Sequence, residues 1–416
     1  MPDASTPSGI RSLGGRTGPH SAGHARVERT AAPVSASRTR NGGRGLPKPA
    51  RARCERKRAG VLNTAECRTV FHSHAAGASR YGDKDEARLM SISELTPLSL
   101  LVAMARPDGI ILSRDARASG LERELRSEIE RGHLVRLRWG AYTLAAEWIL
   151  LTPEKRYLLR VRALAAMSEA PVVFSHHSAA AIWDLPVVGR WPAGIEILTA
   201  TASGGRSKHG TIRRFQDGPV SIVEHDGLLV TAPADTAVAL ARVVSFPAAV
   251  AIVDKAIHVP RHGTAMATRE ELEIALAGLP RRARVNGRSA AFRAVDFAST
   301  ESGSAGESVS RALIFVLGFL LPELQVRFDD EAGFIAFVDF YWRSISKVGE
   351  FDGFGKYVKE EYTKGRTTVE VIMDEKRRED RVRACGPTVS RWDWDLLKVP
   401  AAFGRFLTAQ GVPQVR

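Results

Sequence analysis

The sequence predicts a mixed α and β protein, of the α+β or α/β class, built from several domains. Its 416 residues are enough for two or three domains, since one domain takes roughly 150 residues. Residues 94–144 predict three helices and then a hairpin, whereas the middle of the chain alternates helices with strands. The last part predicts a helix, three strands, a second helix and a fourth strand. We therefore divide the chain into residues 1–89, 90–150, 151–299 and 300–416.

The net charge of +14 is concentrated at the N-terminal end of the chain. Residues 1–90 hold 17 Lys or Arg against 7 Asp or Glu, whereas the other 326 residues hold 43 against 39. The overall charge is therefore a weak indicator of nucleic-acid binding by the folded domains. Residues 1–89 also lack apolar periodicity. They predict either a basic, disordered arm that contacts phosphates or, as we favour, residues upstream of a true start at Met90.

Cysteine content and hydropathy predict the compartment. Cys54, Cys67 and Cys385 are too few and too scattered for a disulfide framework or a zinc site. No apolar run approaches the roughly 18 residues that a membrane span needs. No signal peptide follows Met1. We therefore expect a reduced cytoplasmic protein with no membrane partner.

Residues 94–144 have the pattern of a DNA-binding domain. Thr96-Pro97 predicts the start of a first helix, Ser113 the cap of a second, and 122–131 a third. The following residues alternate as two strands that bend at 138–140. Three helices followed by a hairpin are typical of a winged helix-turn-helix, whose third helix enters the major groove of DNA.

Arginines supply the candidate DNA contacts of this domain, and double-stranded DNA is the predicted partner. The third helix would present its arginines to the major groove, and the wing would meet phosphates. These residues are Arg123, Arg126 and Arg131 on the helix and Arg136 and Arg138 on the wing. The alternative is a protein–protein module, because the same helix carries four glutamates that repel DNA.

A family resemblance supports the DNA-binding interpretation. Gly132, Leu134, Arg136, Gly140 and Tyr142 match the pattern G-x-L-x-R-v-x-x-G-x-Y. The surrounding segment resembles the N-terminal domain of AbiEi-type antitoxins, the DNA-binding partners in type IV toxin–antitoxin systems. The resemblance implies a cognate toxin as a second partner. The mixed α/β middle domain also resembles that family's second domain, in the text VTAPADT.

Two adjacent histidines, His176 and His177, begin a helix in the middle domain. Neighbouring helical positions point in different directions, and no third ligand stands at a useful spacing. We predict helix capping and packing for these residues rather than metal binding.

Residues 304–356 concentrate carboxylates at the ends of predicted strands. Asp339 ends one strand, and Glu350 and Asp352 end the next. Unpaired carboxylates are costly to bury, so this arrangement needs a cation. A divalent metal or local arginines would serve. Glu307 lies in the first turn of a helix, where the motif S-x-x-E beginning at Ser304 makes a helix cap the alternative role.

The C-terminal domain resembles PD-(D/E)xK nucleases, in the branch close to very-short-patch-repair endonucleases. That family has an acid on its first helix, an Asp on a strand and Glu-x-Lys on the next strand. Glu307, Asp339 and Glu350 match these acids, and Arg391, Trp394 and Leu397 match the branch's R-x-x-W-x-x-L text. The resemblance implies a nuclease-like fold, catalysis by the three acids, and Mg²⁺ held by Asp339 and Glu350.

One position departs from the family pattern. Asp352 stands where the family has its lysine. Lys356 is then the candidate replacement for the catalytic lysine, or Asp352 becomes a further metal ligand beside a metal-bound water. In a third outcome the domain keeps the fold and has lost the chemistry.

These patterns together predict a DNA-binding, AbiEi-like protein with a restriction-endonuclease-like domain. Phosphodiester hydrolysis as a Mg²⁺-dependent endodeoxyribonuclease is one activity that follows. The alternatives are a non-catalytic transcriptional regulator of the antitoxin kind and a protein–protein interaction module.

Overall fold

A computed structural model describes residues 96–200, 210–215, 218–260, 262–280, 287–353 and 368–415. All of them belong to one compact unit, Glu86–Arg416. The mixed α and β class that the sequence predicts is confirmed. Within these ranges no helix combines the length and the apolar character needed to cross a bilayer. The predictions made for residues 1–89 and for Lys356 lie outside the described residues.

The first part of the unit contains three short helices and three strands. The predicted start of the first helix is confirmed, because the Thr96 hydroxyl accepts a hydrogen bond from the Ser99 amide at 3.2 Å. The strands pair antiparallel in the order β1-β3-β2. The elements are α1 (Pro97–Ala103), β1 (Ile111–Leu112), α2 (Ser113–Ala118), α3 (Glu122–Glu130), β2 (Leu134–Arg138) and β3 (Ala141–Leu144).

Ser113 does not cap α2 as the sequence predicts. The helix begins at Ser113 itself, and Leu112 precedes it without a side-chain capping bond. The Ser113 hydroxyl donates instead to the Gly140 carbonyl at 3.3 Å, beside the Ser113 amide, which donates to the same oxygen at 3.0 Å. The hydroxyl therefore fastens the hairpin turn to the helix rather than closing the helix end.

The middle of the unit is a five-stranded sheet with helices against it. Its strands run in the order β6-β5-β4-β8-β7, with β4 parallel to β8 and β5 parallel to β6. The elements are α4 (Ala145–Leu150), α5 (Pro153–Met167), β4 (Val173–Phe174), α6 (His176–Ile182), β5 (Ile195–Thr199), β6 (Thr211–Phe215), β7 (Ile222–His225), β8 (Leu228–Thr231), α7 (Pro233–Ala241), α8 (Phe246–Ile257), α9 (Arg269–Ala277) and α10 (Arg288–Phe297).

The last part is a four-stranded sheet in the order β12-β11-β10-β9. The first three strands form an antiparallel meander, and β12 pairs parallel with β11 after a helical crossover. The final helix α14 was not expected from the sequence. The elements are α11 (Ala305–Val316), β9 (Glu323–Asp330), β10 (Gly333–Trp342), β11 (Lys347–Phe351), α12 (Thr368–Ala384), β12 (Thr388–Trp392), α13 (Trp394–Leu397) and α14 (Pro400–Ala409).

Two helices pack against this last sheet, which carries the predicted acidic residues. Helix α12 packs against β10 and β12, while α11 packs against β11. The approach of α11 is so close that a Cβ added to Gly306 would lie 2.0 Å from Cε1 of Phe351. Helix α11 also packs along α8 of the middle part, so the two parts share a core.

Candidate functional site

Asp339 and Glu350 are cross-strand neighbours in the C-terminal sheet. Phe340 of β10 pairs with Gly349 of β11, and the next step along this antiparallel ladder sets Asp339 opposite Glu350. Residues directly opposite in such a ladder project to the same face. An oxygen of Asp339 also accepts the Phe351 amide at 2.9 Å. The two predicted acids therefore lie side by side.

Two arginines face the Glu350 carboxylate. Arg391 lies across the parallel ladder from Glu350, and its Nη2 lies 2.8 Å from Oε2. Arg378 of α12 approaches the other oxygen, with Nη2 at 3.5 Å from Oε1. Both arginines also bind Glu375 of the same helix, at 2.9 and 2.6 Å, and Arg391 binds Glu379 at 2.9 Å. Glutamates from two elements thus share two guanidinium groups.

Burial and charge act in opposite directions on these groups. Burial raises the pKa of the Glu350 carboxyl, and the nearby Asp339 and Glu375 add to that rise against the two arginines. Burial opposes the charge of Arg391 as well, but the surrounding carboxylates hold the pKa of Arg391 above its usual value. The guanidinium groups therefore stay charged and supply the cation that the sequence argument required.

Glu307 is engaged at the start of α11. Its side chain is buried, and Oε2 accepts the Gly303 amide at 2.9 Å and the Gln325 side-chain amide at 3.2 Å. Its own amide donates to the Ser304 hydroxyl at 3.2 Å. The Ser304 hydroxyl therefore caps α11 as the S-x-x-E motif predicts, but the Glu307 carboxylate accepts the Gly303 amide rather than the Ser304 amide of a complete capping box.

The described carboxylates do not fit a magnesium ion in their present arrangement. Carboxylate oxygens are the donors that Mg²⁺ prefers, yet both oxygens of Glu350 already face guanidinium groups. Asp352 follows the end of β11, where its amide donates to the Trp392 carbonyl at 2.8 Å. Within the described residues, no group of three or more His, Cys, Asp or Glu side chains is arranged to hold a metal.

The predicted recognition helix α3 carries four glutamates and two arginines, and residues outside the helix neutralise two of the glutamates. Glu122 pairs with Arg117 at 3.1 Å, and the buried Glu128 binds both Arg131, at 2.5 Å, and His133, at 2.6 Å. Arg131 is thus engaged in holding a buried carboxylate. The exposed Arg123 and Arg126 make no ion pair in the described structure, and neither do Glu124 and Glu130 of the same helix.

The wing is different, because its charge is not balanced. Residues 134–144 contain Arg136 and Arg138 and no acidic residue. Arg136 is exposed, and its guanidinium lies 5.7 Å from the ring centroid of Trp139. Arg138 is half-buried beside Arg160 of α5; burial and this neighbouring positive charge lower the pKa of Arg138. Neither wing arginine pairs with a carboxylate in the described part of the chain.

A buried polar network holds the two histidines of α6. Glu196 of β5 is fully buried and accepts the amide and Nδ1 of His177, both at 2.8 Å, and the Arg214 guanidinium through Nε at 2.8 Å. His176 adopts a left-handed conformation with φ of +50° and is itself buried. The side-chain contacts of His177 are with Glu196, so it acts here as a packed hydrogen-bonding residue.

Sequence reasoning did not identify three of the charged residues around Glu350: Arg378, Glu375 and Glu379. Arg391 was noted only as part of a family text. The usable signal was the spacing i, i+3 and i+4 on α12, which puts Glu375, Arg378 and Glu379 on one face. The register of β12 against β11, which brings Arg391 to Glu350, had no local signal.

Comparison with known proteins finds relatives that match only part of this chain. No protein-family model matches the chain. Two relatives from Mycobacterium tuberculosis are the uncharacterized protein Rv2248 of strain H37Rv and the uncharacterized protein MT2308 of strain CDC 1551. Each is 33% identical over 165 residues, which is 37% of this chain. The chain spans 58% of the length of these relatives.

Proposed function

We propose that the protein binds double-stranded DNA through a winged helix formed by residues 96–144. The supporting observation is the chain order of helix, strand, two helices and two strands, with the first strand against the last in the sheet order β1-β3-β2. A winged helix-turn-helix with its wing between β2 and β3 has this arrangement. The exposed arginines of α3 and the unbalanced charge of the wing are suited to phosphates.

The C-terminal domain supports a regulatory role more directly than a catalytic one. Its order of helix, three antiparallel strands, helix and parallel strand is that of a PD-(D/E)xK nuclease core, and we assign it to that fold class as part of the proposal. The cation at Glu350 is supplied by Arg378 and Arg391. We therefore propose a non-cleaving, antitoxin-like DNA-binding regulator, with a cognate toxin as its protein partner.

DNA binding is tested with the full chain and a fluorescein-labelled duplex of mixed sequence, by anisotropy at several salt concentrations. Replacing Arg136 or Arg138 with Gln should weaken binding and reduce the salt slope by about 1 each. Arg117→Gln is the matched control, because its charge is already paired with Glu122. Absence of binding by the wild-type protein at low salt would leave a protein–protein module as the surviving function.

A magnesium-dependent endonuclease is the second candidate function. It is favoured by the cross-strand placement of Asp339 and Glu350 on the meander. For this function, DNA phosphates would have to draw Arg378 and Arg391 away from Glu350, freeing the carboxylate.

The two functions are separated by incubating the protein with supercoiled plasmid and Mg²⁺ or Mn²⁺. Cleavage by the wild type and by Asp329→Asn, but not by Asp339→Asn, would establish the endonuclease. Asp329 is the control because it is an exposed residue of the same sheet, bound to Arg327. If a protein that binds the plasmid does not cleave it, the regulator remains.

A further inference from the structure

The tip of the wing carries a tryptophan in an unusual environment. Trp139 is 83% exposed, although tryptophan is among the side chains that bury the most apolar area in folded proteins. It lies between Arg138 and Gly140, in the turn that joins β2 to β3. An indole exposed to this degree on a basic hairpin offers a flat apolar surface to a partner.

The turn that carries Trp139 is firmly attached to the rest of the domain. The Gly140 carbonyl accepts two hydrogen bonds from Ser113, and Gly140 adopts a φ of +81°. A Cβ at Gly140 would lie 2.9 Å from Cε of Met167, so the turn rests directly on the end of α5. Leu137, two residues before Trp139, is buried in the same apolar cluster against which Met167 packs. The indole is therefore presented from a fixed base.

The charges around Trp139 favour an anionic partner. Arg136 lies over the indole, and neither Arg138 nor the neighbouring Arg160 of α5 makes an ion pair in the described structure. By contrast, the arginines and glutamates of α3 that make no ion pair are equal in number. The wing therefore attracts phosphates more strongly than helix α3 does.

We propose that Trp139 is a wedge that inserts between base pairs from the minor groove of duplex DNA, with Arg136 and Arg138 on the flanking phosphates. Apolar side chains that enter the minor groove unstack a base step and bend the duplex. An indole stacks on any base, because every base has a π face. The inference rests on the proposed DNA-binding function and adds to it the element that enters the DNA and the deformation it causes.

The test uses the full chain and a mixed-sequence duplex labelled at its two ends with a donor and an acceptor dye. Affinity is measured by anisotropy, and bending by energy transfer between the ends. Wild-type protein should raise the transfer efficiency on binding. Trp139→Ala should weaken binding by about tenfold or more, abolish the rise and leave the salt slope unchanged, because stacking rather than charge is lost. Trp139→Phe should keep most of both signals.

Ile149→Ala is the matched control, since Ile149 is an apolar side chain that is 70% exposed and belongs to α4 rather than to the wing turn. Ile149→Ala should bind and bend DNA as the wild type does. The inference is overturned if Trp139→Ala binds and bends the duplex as the wild type does, and also if that substitution changes only the oligomeric state. If the wild-type protein does not bind DNA at all, the proposed function itself is overturned.

Discussion

Arg311 donates through Nη2 to both carboxylate oxygens of Asp254, at 3.1 and 3.0 Å, where the aspartate is wholly buried. Asp254 belongs to α8 and Arg311 to α11, so this ion pair joins the predicted middle domain to the predicted C-terminal domain. The Ser299 amide donates to the same carboxylate at 2.8 Å, and Arg311 Nη1 donates to the Phe297 carbonyl at 2.8 Å. The connection between the two segments is therefore part of a shared core.

Removal of one partner of this pair should destabilise the whole C-terminal two thirds of the protein. Asp254→Ala leaves the Arg311 charge buried without its counter-charge, and we expect a loss of about 3–5 kcal/mol in the free energy of unfolding. Urea unfolding of the full chain measures it. Glu323→Ala, which breaks an exposed pair with Arg343, is the control and should leave stability nearly unchanged, because exposed ion pairs contribute little. A similar small effect for Asp254→Ala would contradict the buried pair.

Arg131 should behave as a folding residue more than as a DNA contact. It binds Glu128, whose side chain is only 2% exposed. Arg131→Ala removes a charged donor from a buried carboxylate, and we expect a loss of about 1–3 kcal/mol. The measurement is thermal unfolding beside DNA affinity, with Arg126→Ala as the control. Arg126→Ala should leave unfolding nearly unchanged. A larger effect of Arg131→Ala on affinity than on stability would restore the DNA-contact role predicted from the sequence.

The network around α6 should make the fold sensitive to acid. Burial lowers the pKa of His176 to about 4 from 6.5. As the pH falls below 6.5, the unfolded chain takes up a proton that the folded chain refuses until about pH 4. The contribution of neutral His176 to the free energy of unfolding is therefore fully present above pH 6.5. It falls by about 3 kcal/mol as the pH is lowered from 6.5 to 4. Urea unfolding at several pH values measures the slope.

His176→Asn tests the assignment of that slope. Asparagine tolerates the left-handed backbone at this position but does not titrate. The variant should therefore show a flatter profile between pH 6.5 and 4. An unchanged profile would place the sensitivity elsewhere.

Glu196 should dominate the more acidic range. Burial alone would raise the pKa of this carboxyl, but hydrogen bonds and charge from His177 and Arg214 lower it to about 2 from 4.5. Its contribution is present above pH 4.5 and is lost as the pH falls toward 2. Glu196→Gln should remove the pH dependence in this range while lowering stability at neutral pH. The readout is again the midpoint of urea unfolding against pH.

The contact between α11 and β11 can be tested with two glycines. At Gly306 a methyl group would lie 2.0 Å from the Phe351 ring, so Gly306→Ala should destabilise the protein by about 1–3 kcal/mol or more. At Gly404 of α14 the nearest atom would be 3.7 Å away, an ordinary contact. Gly404→Ala should therefore stabilise the helix by up to about 1 kcal/mol. Thermal unfolding measures both changes in stability. A change in the same direction for the two variants would contradict the packing described.

Local features were predictable from the sequence, and long-range ones were not. Thr96-Pro97 and the bend at 138–140 depend on capping and alternation within a few residues, and both occur as predicted. The assignment of Ser113 as a cap was wrong because a distant acceptor, the Gly140 carbonyl, took its hydroxyl.

The charged residues around Glu350 show the same difference between local and long-range features. Alternation and strand order placed Asp339 near Glu350, and arginines were one of the two cations considered. The spacing along α12 could have indicated Arg378, whereas the choice of Arg391 depends on the parallel register of β12, which no local pattern encodes. The partnership of Asp254 with Arg311 spans 57 positions and carries no sequence signal at all.

Arg391 is fixed opposite Glu350 by the hydrogen-bonded ladder of two parallel strands. The counter-ion of that carboxylate is thus a side chain of the same polypeptide, and its local concentration does not depend on the solution. A protein built in this way needs no ion from solution to neutralise Glu350 while it folds. Neutralisation of Glu350 should therefore be unaffected by chelators.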